Sequence, residues 1–114
     1  MTQPCARQKL IKQPVDSQRI RSMPKQFGPM DRRLVYEQHI CRMSAEEIAL
    51  YVFLECVSDP QGLSLYSDER ICEYLHWSLN GLWDARSRLI EGGFLLYRRP
   101  IYQLLDLSET VSAP

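Results

Sequence analysis

Two adjacent arginines, Arg98 and Arg99, precede Pro100 in the C-terminal third of the chain. Apolar, β-like runs lie on both sides, which predicts a hairpin with these three residues at its tip, where Pro100 limits strand pairing. Both guanidinium groups should then be exposed. A guanidinium offers a fork of N–H donors that fits phosphate or carboxylate oxygens. The tip is therefore a candidate contact for a polyanion, and a plain solvated turn is the alternative.

A predicted helix just before this hairpin carries a second group of polar side chains. Ser78 has the residue type of its N-cap, and the helix is expected to stop at Gly92 and Gly93. The spacing of Leu82, Ala85 and Leu89 predicts that these side chains face inward. The positions left to face outward are Asn80, Gly81, Trp83, Asp84, Ser87 and Arg88.

Two of these outward side chains suit nucleic acid. An Asn amide pairs with an adenine edge, and an Arg guanidinium pairs with guanine or phosphate, so Asn80 and Arg88 are the candidates. Gly81 would let the backbone approach closely. Asp84 would repel phosphates and Trp83 is large and apolar for a solvated position, so these two also fit a protein-binding surface. An ordinary solvated helix face is the alternative for each residue.

The elements that must position these side chains follow one another within residues 66–107. Ser67 predicts the cap of a short helix, and a tight turn at His76 leads into the helix that Ser78 begins. The hairpin follows, and the alternating residues 63–66 predict a small strand that pairs with it. Helix, turn, helix and hairpin in this order predict an α+β fold with a winged helix-turn-helix.

Two further helices are predicted upstream. Ser44 and Glu47 have the spacing of a capping box, in which each side chain binds the other residue's amide, and the helix after them is apolar on most sides. An additional N-terminal helix is expected to begin at Asp31 and to reach Ile40 or Cys41. These segments complete a predicted domain at residues 30–107.

Charge divides the chain into a basic arm and an acidic remainder. Residues 1–33 hold eight Lys or Arg and two Asp, or +6, whereas residues 34–114 hold six Arg and twelve acids, or −6. Residues 1–29 have little apolar periodicity, which predicts a flexible basic arm, and residues 108–114 are predicted to be a disordered tail. Such an arm indicates contact with a polyanion, and a solvated tail that aids solubility is the alternative.

Enzymatic and metal-binding classes find little support in the sequence. There is no glycine-rich phosphate loop and no nucleophile or metalloprotease motif, so no catalytic residue or cofactor is expected. The four cysteines are far apart and no Cys-x-x-Cys pair occurs, so no metal ligands are assigned. No apolar run has the length of a membrane span, and the polar N-terminus has no signal segment. A cytoplasmic location is expected, with nucleoid association if the chain binds DNA.

Residues 66–107 resemble the winged helix-turn-helix domains of bacterial transcriptional regulators and plasmid replication initiators. The likeness rests on the cap Ser78, the inward Leu82, Ala85 and Leu89, and the helix-to-wing Gly93, and it extends over residues 44–107. Residues 23–34 are also similar to the start of small bacterial helix-turn-helix proteins encoded near mobile elements. The resemblance implies duplex DNA binding, often as a homodimer.

Two hypotheses from different classes follow. The first is a non-enzymatic DNA-binding protein, either a transcriptional regulator or an accessory factor for replication or transposition. Its DNA-binding residues would be Ser78, Asn80, Gly81, Trp83, Ser87, Arg88, Arg98 and Arg99. The second is a protein-interaction module on the same scaffold, with Trp83 and Asp84 in the partner surface. A continuous positive stripe would favour DNA, and a negative helix face would favour a protein partner.

Overall fold

The computed structural model describes residues 11–107, which adopt an α+β fold. These residues form four α-helices and one 3-10 helix: α1 Arg33–Tyr36, the 3-10 helix His39–Arg42, α2 Ala45–Val57, α3 Asp68–Leu75 and α4 Leu79–Glu91. Three strands form one antiparallel sheet: β1 Leu63–Leu65, β2 Leu95–Arg98 and β3 Ile101–Leu104. The predicted C-terminal tail, residues 108–114, and the first ten residues of the predicted arm lie outside the described residues.

The sheet has β3 at its centre and β1 and β2 at its edges. The strand predicted at residues 63–66 is confirmed, because Leu63–Leu65 pairs with β3. Tyr102 lies opposite Ser64 on one side and Tyr97 on the other, and Tyr102 is fully buried. Since side chains alternate along a strand, the row on the opposite face is exposed, with Leu65 at one edge and Ile101 beside it.

Serine hydroxyls begin the three longer helices as the sequence predicts. Ser44, Ser67 and Ser78 each accept a hydrogen bond from the backbone N–H three residues later. The capping box differs in its second half: the Glu47 carboxylate accepts from the Ser44 hydroxyl at 3.2 Å rather than from the Ser44 amide. Each cap satisfies an amide that the first helical turn leaves without a partner.

The core lies between α2, α4 and the inner face of the sheet. Leu82, Ala85 and Leu89 of α4 are buried, as their spacing predicts, and they meet Leu50 and Leu54 of α2 in one apolar cluster. This packing fixes the rotation of α4 about its axis. The three buried side chains therefore determine which side chains of α4 face outward.

The expected N-terminal helix is shorter than the sequence predicts. Instead of reaching Ile40 or Cys41, α1 stops at Tyr36, and Gln38 has a left-handed backbone with φ of 63° before the 3-10 helix begins. Only Leu34 of α1 is buried, whereas Val35 is exposed. One inward side chain gives too little apolar burial to hold a longer helix, because tertiary packing supplies most helical stability.

The turn between α3 and α4 follows the sequence interpretation. His76 ends α3 with φ of 57°, and the Trp77 amide donates to the Cys72 carbonyl to close the last turn. His is among the residues that tolerate the left-handed region better than most. Within residues 11–107, no helix combines the length and apolar character needed to cross a bilayer.

Candidate functional site

The tip of the β2–β3 hairpin presents Arg98 and Arg99 to solvent. Arg98 ends β2 opposite Ile101, and Arg99 and Pro100 make the turn between the strands. Neither guanidinium takes part in a hydrogen bond or salt bridge in the described part of the chain. Two unpaired cations at one exposed turn can bind the oxygens of a polyanion without first breaking an internal contact.

The described part of the arm also carries unpaired cations. Its exposed basic side chains make no salt bridge within residues 11–107. They are Lys12, Arg19, Arg21 and Lys25, and Arg32, just beyond the arm, is likewise exposed and without a salt bridge. Arg42 forms no salt bridge either, but its guanidinium donates to the Gly92 carbonyl at 3.2 Å. Among the described residues, the cations with neither a hydrogen bond nor a salt bridge are therefore those of the arm, Arg32 and the hairpin tip.

The outward face of α4 agrees with the sequence prediction in its orientation. Asn80, Ser87 and Trp83 are exposed, and Gly81 is partly buried. No hydrogen bond within residues 11–107 engages the side chains of Asn80 or Ser87. Ser78 instead accepts from the Gly81 amide at 3.2 Å, so its hydroxyl already has a structural use as the cap.

Arg88, the predicted cationic reader of α4, is paired within the molecule. Its Nε lies 3.2 Å from Asp84 Oδ2, one helical turn earlier, and its NH1 lies 3.9 Å from Glu47 Oε2 on α2. Asp84 is exposed, whereas Glu47 is buried. The side chain therefore leans toward α2, and its charge is balanced before any ligand arrives.

Trp83 lies on the side of α4 that faces the start of α3. Its ring is 45% exposed, and its Nε1–H donates to Asp68 Oδ2 at 3.0 Å. Asp68 is the first residue of α3, so this bond joins α4 to the end of α3 that lies away from the turn between them. A half-exposed indole with a satisfied N–H is both a structural contact and an available aromatic surface.

Arg86 is a connecting residue that the sequence interpretation did not assign. Its NH1 donates to Asp68 Oδ1 at 2.8 Å and to the Tyr102 hydroxyl at 2.7 Å. Its guanidinium also lies over the Tyr97 ring, 4.2 Å from the centroid. The position of Arg86, four residues after Leu82 and three before Leu89, was the signal that it faces inward.

Asp68, Trp83, Arg86, Tyr97 and Tyr102 form what we call the Asp68 cluster. Their surroundings set the protonation of the titratable side chains in this cluster. Burial acts to raise the pKa of Asp68, but hydrogen bonds from Arg86 and Trp83, with the charges of Arg86 and Arg99, bring it below the usual value. Burial raises the pKa of Tyr102 to about 12, although Arg86 opposes the shift. At neutral pH the cluster therefore contains a carboxylate, a guanidinium and a neutral phenol.

The predicted residues fall into two groups in space. Trp83 donates to the Asp68 carboxylate, and the charge of Arg99 at the hairpin tip helps to lower the pKa of that carboxylate. Arg88 lies on the other side of α4, toward α2. The cations of α4 are thus both engaged, Arg86 inside the cluster and Arg88 with acids, so no continuous row of free cations joins α4 to the tip.

Comparisons with known proteins give no relative from which to assign a family. No protein-family model, curated protein or solved structure matches the chain. Within residues 11–107, no three His, Cys, Asp or Glu side chains are grouped so that they could hold a metal ion. The geometry of the hairpin tip, α4 and the Asp68 cluster is therefore the basis for the functional proposal.

Proposed function

We propose that this chain is a non-enzymatic winged helix-turn-helix protein that binds duplex DNA, with the β2–β3 hairpin as its wing. The observation that carries the proposal is the pair of exposed, unpaired guanidinium groups at the hairpin tip, Arg98 and Arg99. They stand beside a helix whose outward Asn80 and Ser87 side chains are free of internal hydrogen bonds. Regulation of transcription, or assistance to replication or transposition, would use such an activity in the cytoplasm or nucleoid.

The contacts divide between positioning and reading. Arg98, Arg99 and the arm would neutralise phosphates, which orients a protein on DNA without reading sequence. Asn80 would meet base edges in the major groove, with Ser87 beside it. Arg88 would contribute only after leaving Asp84, so its role in base recognition is secondary to that of Asn80. We expect modest sequence preference on top of a strong electrostatic component.

A fluorescence-anisotropy titration with a labelled 20-base-pair duplex of random sequence tests the proposal at low salt. Arg99→Gln should weaken binding severalfold, because the tip then neutralises one phosphate fewer. Arg70→Gln is the matched control, since Arg70 is also exposed but is paired with Glu73 at 3.3 Å. Equal effects of the two substitutions would show that only net charge matters. Absence of binding by the unaltered protein would overturn the proposal.

A second candidate is a protein-interaction module, and two observations favour it. No continuous row of free cations joins α4 to the hairpin tip, and the outer face of the sheet carries exposed apolar side chains. Leu65, Leu96 and Ile101 are 65%, 51% and 42% exposed, and they lie on the face opposite to the core. Exposed apolar patches on a sheet commonly mark protein contacts. Loss of a specific co-purifying protein on Leu65→Ser, with duplex affinity unchanged, would favour this candidate over DNA binding.

A further inference from the structure

Side chains from α3, α4 and the hairpin are joined around a single carboxylate. Asp68 of α3 accepts hydrogen bonds from Trp83 and Arg86 of α4. Arg86 also donates a hydrogen bond to the Tyr102 hydroxyl of β3. Side-chain exposure is 23% for Asp68 and 12% for Arg86. One set of bonds therefore joins all three elements that a winged helix uses to contact a ligand.

An ion pair in this position is expensive unless its geometry is well satisfied. Taking two charges out of water costs more than their attraction returns when hydrogen bonds are missing. Here the carboxylate uses both oxygens, and the Arg86 guanidinium is covered by the Tyr97 ring at 4.2 Å. Apolar side chains of the same volume often stabilise a fold as well as such an ion pair, so the cluster is better suited to fixing an orientation than to adding stability.

Arg86 contacts the hairpin close to its tip, beyond the core contacts that hold Leu95. Tyr97 and Tyr102, the two hairpin residues that Arg86 contacts, lie opposite each other in the ladder. They are one pair below Arg98 and Ile101, the last pair before the turn. Fixing Tyr97 and Tyr102 against α4 therefore fixes where Arg98 and Arg99 stand relative to that helix.

We propose that Asp68 is a positioning residue: through Arg86 it holds the hairpin against α4 and so sets where the tip arginines meet the DNA phosphates. This inference rests on the proposed DNA-binding function. Asp68 carries a negative charge that would repel phosphates, and this charge lies close enough to act on Arg99. Asp68 therefore affects duplex affinity in two opposite ways: it raises affinity by positioning the hairpin, and it lowers affinity through its negative charge.

The opposite signs give a sharp test. If Asp68 acted only through its charge, Asp68→Asn would strengthen duplex binding by removing a negative charge beside the tip. If it positions the hairpin, the same substitution weakens binding, by about tenfold for the removal of one charge-assisted hydrogen bond. Glu69→Gln is the matched control, because Glu69 is an exposed acid of the same helical turn with no side-chain bond in residues 11–107.

A double-substitution cycle separates positioning from a general loss of stability. In a protein that already carries Arg98→Gln and Arg99→Gln, Asp68→Asn should change duplex affinity little, since no tip charge is left to misplace. A general structural role would lower affinity equally in both backgrounds. Tyr102→Phe provides a variant without any charge change and should loosen the hairpin by removing one bond from Arg86.

Amide hydrogen exchange of residues 96–103, measured without DNA, keeps the two proposals distinguishable. Asp68→Asn and Tyr102→Phe should speed exchange in the hairpin, and Glu69→Gln should leave it unchanged. Unchanged exchange in both altered proteins would overturn the positioning role, as would Asp68→Asn binding as tightly as Glu69→Gln. If the unaltered protein binds no duplex, the proposed function fails, and the hairpin exchange alone decides whether Asp68 holds the hairpin.

Discussion

At the scale of single residues, the outward carboxylate of Asp84 opposes binding of a polyanion. It lies 3.2 Å from Arg88 and holds that guanidinium on the helix surface. Asp84→Asn removes a negative charge from the face proposed to meet DNA and releases Arg88. We expect duplex affinity to rise about threefold, the equivalent of ~0.7 kcal/mol for an exposed pair.

Anisotropy titration of the Asp84→Asn protein measures this change. Glu46→Gln is a suitable control, because Glu46 is an exposed acid of the first turn of α2 and lies outside the proposed contact. Weaker binding by Asp84→Asn would mean that the carboxylate itself contacts the duplex, for example by accepting from cytosine.

The stability that Asp68 supplies should depend on pH. Its pKa is below the usual value in the folded protein, so its contribution is fully present above the unfolded pKa of about 3.9. That contribution is lost as pH falls through the folded pKa. The difference in unfolding free energy between the unaltered protein and Asp68→Asn should therefore be constant from pH 7 to pH 5 and shrink below about pH 4. Urea denaturation at several pH values measures it, and a constant difference down to pH 3 contradicts the prediction.

Residues that act within one helix were predictable, and residues that connect elements were not. The caps Ser67 and Ser78 follow from a local rule about side-chain oxygens and first-turn amides. The Asp68–Arg86 bond joins positions 18 residues apart and depends on how α3 packs against α4. The Arg88–Glu47 contact joins two helices and was missed for the same reason. The Arg88–Asp84 pair lies within one helix at i,i+4 spacing, so the sequence did carry a local signal for it.

At the scale of elements, Gly62 connects the loop after α2 to the sheet. It has φ of 84°, its carbonyl accepts from the Leu104 amide at 2.9 Å, and an added Cβ would lie 2.8 Å from the Leu104 carbonyl oxygen. Gly62→Ala should destabilise the fold by about 1–3 kcal/mol, the cost of left-handed strain in a residue with a side chain. Urea denaturation measures the change.

Gly28→Ala is the control for this substitution. A Cβ at Gly28 would meet nothing within 4 Å, so its effect on unfolding free energy should be within about 0.5 kcal/mol. Similar stabilities of the two altered proteins would show that β1 can shift away from β3 without cost.

The order of the helices and strands was predictable because each boundary has a local sequence signal. Their lengths were predictable for α4 but not for α1. The inward stripe of α4 has three buried members, and its predicted extent is confirmed. In α1 only Leu34 is buried, and the helix ends at Tyr36 because helical propensity without further packing is too weak to extend it. The pairing of β1 with β3 followed from its alternation and its nearness to the hairpin.

At the scale of the whole molecule, composition shows that the N-terminal segment is basic and that the rest of the chain is acidic. Residues 1–33 carry +6 and residues 34–114 carry −6. Deleting residues 1–24 should weaken binding to all duplexes alike and flatten the salt dependence by about 0.9 for each phosphate that the arm no longer neutralises. Sequence preference should remain, because α4 supplies it. Unchanged affinity and slope would show that the arm is a solvated tail.

The functional class was reached from sequence only as a hypothesis, because function depends on which surface charges stay unpaired. Composition indicates a basic arm, but it does not reveal that Arg86 and Arg88 are engaged while Arg98 and Arg99 are open. That division leaves α4 with little free positive charge, so the electrostatic contact is expected at the hairpin tip and the arm, the two regions that the sequence also indicates.

The salt dependence of duplex binding by the unaltered protein tests this account most directly. Each phosphate neutralised releases condensed counterions, so the logarithm of the association constant falls linearly with the logarithm of the salt concentration. Contact by Arg98 and Arg99 alone predicts a slope of about −1.8, and the arm makes it steeper. A slope near zero, or no measurable binding at low salt, would contradict the account.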